Sequence, residues 1–172
     1  MSKVRRAAVA GTWYPGERDS LARAVDGYLA AVNPTRPINP TRPIALIAPH
    51  AGLVYSGPVA AHAYALTAGH AYAAVVLVGP SHFVPFEGVA IWPRDSWEPP
   101  FGPLAVDDQL AAAVSARAPG VIEYPPAHAR EHSLEMQLPF LARLMPDVPI
   151  VPMVMGHQTR ETADALGDAL PR

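Results

Sequence analysis

The chain contains no cysteine. That excludes a disulfide framework, a cysteine–zinc site and a cysteine nucleophile within it. Positive charge is scarce, with Lys+Arg 13 against Asp+Glu 15, and Lys3 is the lone lysine. A net charge of −2 argues against nucleic acid as a partner, since such binders carry a basic face. No long apolar run is present. The longest, residues 71–79, is far short of the 18 or so residues that a spanning helix needs. The basic start (Lys3, Arg5, Arg6) and the apolar stretch after it lead into Pro15-Gly16-Glu17-Arg18 rather than a small-residue cleavage site. We therefore expect a cytoplasmic protein with no membrane association. Walker loops, dinucleotide fingerprints and G-x-S-x-G elbows are also missing.

What is present suits a packed globular chain. Half of the 172 residues are hydrophobic. The 12 glycines and 21 prolines together stay below the roughly 25–30% that marks low complexity. Leu21, Val25, Tyr28, Leu29 and Val32 share one face of an expected helix over 19–32, capped by Asp19 or Ser20. The hexapeptide Asn33-Pro34-Thr35-Arg36-Pro37-Ile38 then repeats at 39–44, and we read 33–43 as a stiff proline-rich linker.

Residues 44–48, 73–78 and 150–155 are short apolar runs without alternation, the pattern of strands buried on both faces. Residues 89–92 suit another strand. Between them fall expected helices from Ser56-Gly57-Pro58 to about Thr67, over 134–145 with Pro139 as kink or start, and after caps at Asp107 and Thr159. Such alternation predicts an α/β fold, with a mainly parallel sheet and helices on both faces.

Chemistry concentrates in the histidines. His50 and His82 each follow directly on the end of an expected strand, in turns carrying proline and glycine. Active sites of open α/β sheets gather at that edge. Two imidazoles there suit a divalent metal such as iron, zinc or copper. Residues 128–132 match H-x-x-E-H, the inverted zinc-peptidase motif, which requires those residues to be helical. The alternative is a polar loop lending one or two residues to a site. Tyr55, Ser56 and Gly57 lie near a helix start, where free N–H groups favour an anionic ligand or serve simply as a cap.

Four blocks, taken together and in order, resemble the Memo-like family, the protein B component of AmmeMemoRadiSam systems. They are RAAVAGTWYP (6–15), APHAGLVYSGPVAA (48–61), GPSH with PFEGVA (79–82, 85–90), and REHSLE with QLPF (130–135, 137–140). That family is similar in fold to LigB-like class III extradiol dioxygenases, which hold non-haem Fe(II) with two histidines and a carboxylate. The resemblance implies that His50 and His82 ligate a divalent metal, iron foremost, with copper or zinc as alternatives. It implies that His132 and Glu131 act at the site, with Tyr55, Ser56, Ser81 and Glu135 around the pocket. The implied partners are a radical-SAM enzyme, an AMMECR-type protein, and a small-molecule or peptide ligand. The family's cysteine ligand and Ser-Asp-x-Ser-His segment are absent, so the expectation is one Memo-like domain, 1–172, lacking a C-terminal part. Enzyme and scaffold or peptide-binding protein both stay open on these grounds.

Overall fold

A computed structural model describes residues 4–32 and 41–170. It begins with a short strand β1 (Arg5–Arg6) and helix α1 (Arg18–Ala30). The cap of α1 is Glu17, whose side chain makes no capping bond, rather than Asp19 or Ser20. Leu21 and Val25 are its buried residues, as their spacing predicts. The first part of the expected linker, 33–40, lies outside the described residues, and 41–43 have no regular structure.

Residues 44–48 are a correction. They form no strand, with a bend at Ile44, and Ile44 and Ile47 are 100% and 99% exposed. A strand needs a hydrogen-bonded neighbour, and none of the described residues provides one. Helix α2 (Leu53–Ala65) starts earlier than Ser56 and carries Pro58 inside it. Gly57 lets α2 lie against α1: a Cβ there would fall 2.7 Å from the Tyr28 ring.

Strand β2 (Val75–Pro80), strand β3 (Val89–Ile91), and the short strands β4 (Ser96–Glu98) and β5 (Leu104–Ala105) follow. Next comes helix α3 (Asp108–Arg117), and its cap is as expected: Leu110 N–H donates to Asp107 Oδ1 at 2.9 Å. After β6 (Val121–Glu123), a five-residue helix α4 (Pro125–Ala129) leads into a loop. A 3-10 turn (Glu135–Gln137) then passes into α5 (Leu138–Leu144), with Pro139 in its first turn rather than at a kink. Strand β7 (Ile150–Met155) and helix α6 (Arg160–Ala169), capped by Thr159, complete the described fold.

The architecture is α/β, but its sheets are mixed rather than mainly parallel. One has the order β1-β4-β5 and the other β2-β7-β3-β6. In the larger, β2 runs parallel to β7, from Val75↔Ile150 to Pro80↔Met155, while β3 runs antiparallel to β7. The connection between β2 and β3, residues 81–88, explains the reversal, because a parallel crossover needs about a dozen residues or more. Strand β7 is buried throughout. Its Ile150 and Val154 join a core built with α1, α2 and α5, while Val151, Met153 and Met155 join one built with α3 and α6. Helices thus cover both faces of this sheet. None among the described residues is long and apolar enough to cross a membrane.

Candidate metal centre

Three histidines arrive at one place from three directions. His82 follows the C-terminal end of β2, His50 lies in the turn before α2, and His132 sits in the loop after α4. The His50 and His82 rings are 5.3 Å apart, His82 and His132 4.3 Å, and His50 and His132 6.0 Å. One ligating nitrogen from each lies within 4.8 Å of the others. Metal–nitrogen bonds run to roughly 2.0–2.1 Å, so the three nitrogens are near enough that one ion could be held among them.

Glu131 makes this arrangement definite. Its carboxylate is buried and accepts from the backbone N–H of His82 (2.6 Å), His132 (2.8 Å) and Ser133 (2.8 Å). The fourth contact is His82 Nδ1, at 2.8 Å. An ionised carboxylate only accepts, so Nδ1 carries the proton and Nε2 of His82 presents its lone pair to a metal. Burial alone would raise the Glu131 pKa, but the hydrogen bonds from His82 and Ser133 outweigh it and hold the group at about 2. The loop comes this close because Gly79 lacks a side chain: a Cβ there would sit 2.7 Å from Ser133 Oγ. Burial pushes His50 and His132 below the ordinary histidine value, with neighbouring imidazoles adding to the shift. Both are therefore neutral near pH 7, as metal ligands must be.

Residues Glu131 and Glu135 are not ligands in this arrangement. Glu135 is fully buried beneath the site rather than in a pocket. It pairs with Arg5 and accepts from Ala8 N–H, Val9 N–H and Tyr14 Oη. Burial and the Glu135 charge push the Tyr14 pKa upward. This network pins the N-terminal segment so that the Trp13 ring meets His132 at 4.1 Å. The Trp13 carbonyl also accepts from Leu53 N–H at the start of α2, taking one of the free N–H groups expected to favour an anion.

The H-x-x-E-H reading fails here. Helix α4 ends at Ala129, so His128 and His132 do not share a helical turn. His128 is buried away from the cluster, with Nε2 3.1 Å from Ala90 O. Ser133 does not cap the next turn either. It donates to Pro80 O.

A cleft of about 980 Å³ opens beside His50 and His132, walled by Trp13, Ile47, Val54, Tyr55 and Val59. Tyr55 is part of that lining, while Ser56 donates to Ala51 O within its own turn. Ser81 donates to Val84 O and borders a second cavity of about 400 Å³ next to His82, with Gly156 and His157 opposite. Reasoning from sequence assigned no role to Trp13 or Phe83, both of which touch His132. Trp13 belongs to the RAAVAGTWYP motif (6–15), which is the sequence signal for it.

Comparison with known proteins places the chain in a family. The family model described as Memo-like protein matches residues 5–172. A MEMO1 family protein of Pyrobaculum arsenaticum is 36% identical over 173 residues, covering 98% of this chain and 62% of the relative. One from Ignicoccus hospitalis is 39% identical over 171 residues, covering 95% and 60%. One from Thermotoga maritima is 35% identical over 177 residues, covering 98% and 64%. The chain therefore spans about three fifths of the length of these curated relatives.

Proposed function

Since this chain belongs to the Memo-like protein family, we propose that it holds one divalent transition metal on His50, His82 and His132 and presents it to a small ligand in the apolar cleft. The observation that carries this reading is the convergence of three imidazoles, one of them oriented by a buried carboxylate. Neutral nitrogen donors suit iron, copper and zinc alike. We take iron first, by the likeness to extradiol dioxygenases. When bound, such a metal supplies Lewis acidity and, for iron or copper, electron transfer.

The chain's own residues do the rest. Glu131 keeps the Nδ1 proton of His82 in place. His132 stays neutral under Trp13 and Phe83, available as a ligand or, when released, as a proton acceptor. Trp13, Val54 and Tyr55 offer apolar contact to a flat ligand and keep water from one side of it. A redox role of dioxygenase type, cytoplasmic and alongside radical-SAM and AMMECR-type partners, is the reading that we favour. The competing one is a non-enzymatic scaffold or peptide binder. It draws support from the 82% exposure of Tyr55 beside exposed Val54 and Val59.

The test is metal titration of the purified chain with Fe(II) under anaerobic conditions, and with Cu(II) and Zn(II), alongside elemental analysis. His50→Ala, His82→Ala and His132→Ala should each weaken binding at least ten-fold. Equal, sub-stoichiometric metal in wild type and all three variants refutes the site.

A further inference from the structure

We propose that residues 44–48 form the docking edge for one further β-strand, and that the occupant is polypeptide equivalent to the part of the relatives' length that this chain does not match. This inference is independent of metal binding. It begins from a conflict. The run Ile44-Ala45-Leu46-Ile47-Ala48 has the composition of a doubly buried strand, yet its backbone is in no strand or helix and is unpaired among the described residues, with Ile44 and Ile47 in solvent.

The segment is not adrift. At its start, the Arg42 guanidinium lies over the Tyr72 ring and donates to Ala71 O, and Tyr72 Oη donates to Pro43 O. At its far end His50 meets His82. Leu46 and Ala48 pack on the core between these anchors. The segment is thus tied to both ends of β2, an end strand of its sheet whose other neighbour is β7. What remains, among the described residues, is a run of unpaired N–H and C=O groups flanked by exposed isoleucines, continuous with the apolar Val54, Tyr55 and Val59. Such a row is a template for β-augmentation.

The choice of occupant rests on length. Only 62% of the Pyrobaculum relative and 64% of the Thermotoga relative fall within the match. Each relative therefore has enough further chain to supply a strand and cover this face.

The experiment uses the unmatched stretch of the Thermotoga maritima relative, made as a separate polypeptide and mixed with the full chain without metal. A one-to-one complex by native mass spectrometry is expected, with amide exchange over 44–48 slowed at least ten-fold. An Ile44→Lys/Ile47→Lys double variant should bind at least ten-fold more weakly. It should keep the wild-type circular dichroism and melting, because neither side chain is buried. A complex whose 44–48 amides exchange at the free-chain rate, or that forms equally well with the double variant, overturns the proposal. So does a dimer of the chain alone with 44–48 already protected, which assigns the edge to a second copy. If the added stretch does not stay soluble, it is joined to the chain through a flexible linker, and unslowed exchange at 44–48 in that fusion is equally fatal.

Discussion

Replacing Glu131 with glutamine tests the metal centre without deleting a ligand. In the wild type, Oε1 faces His82 Nδ1, His132 N–H and Ser133 N–H, while Oε2 takes His82 N–H. An amide keeps only one acceptor oxygen. Its better orientation places that oxygen among the three donors and turns the NH₂ toward His82 N–H, leaving two donors facing each other. One buried, unsatisfied donor costs about 1–3 kcal/mol of stability. The loss of charge weakens the hold on His82 Nδ1–H. Outer-shell changes of this kind lower metal affinity roughly 10–100-fold, or about 1.4–2.8 kcal/mol. Competition with a chromophoric chelator measures the affinity, and urea unfolding of the metal-free chain measures the stability. A variant that stays folded yet binds metal within three-fold of wild type refutes the orienting role. A parallel His82→Ala titration sets the scale, since loss of the ligand itself should cost more than loss of its orienter.

Two further outcomes follow from the buried polar groups. Glu135→Gln leaves the Arg5 guanidinium buried without its counter-charge, at a cost of about 3–5 kcal/mol. Tyr14→Phe removes a single bond to the same carboxylate and should cost about 1.5–3 kcal/mol, so the two melting temperatures must fall in that order. Burial, aided by the Arg5 charge, lowers the His128 pKa to about 4 from 6.5. Between those values the unfolded chain binds the proton more tightly, so stability rises with pH across that window. About 3 kcal/mol is lost as pH falls from 6.5 to 4. His128→Phe should flatten denaturant midpoints over this range, and an unchanged slope would show that the group is not the cause.

Local patterns foretold some elements and could not foretell others. Strand β7 and the caps at Asp107 and Thr159 were legible because an apolar run and a capping oxygen act on their immediate neighbours. His50 and His82 were legible as a pair because each ends an apolar run next to glycine and proline. The direction of β3 was not, since a short buried strand reads alike in parallel and antiparallel company. What reverses it is the short connection from β2 and the later insertion of β7 between the two. The role of Glu131 was also hidden. Its donors come from residues 82, 132 and 133, and only the approach permitted by Gly79 brings the first of these to it. Segment 44–48 shows the opposite failure: its composition announces a strand, but pairing depends on a partner that composition does not contain.

His50, His82 and His132 come from three separate stretches of chain, and no single stretch holds the trio. An unfolded chain offers an ion only scattered imidazoles, so a metal that occupies the trio is a ligand of the native state alone. Through mass action it acts as a thermostat on folding. At a free concentration one hundred times its dissociation constant it adds about 2.7 kcal/mol, and each further decade adds about 1.4. Metal supply would then set how much of this protein is folded as well as how much of it is loaded.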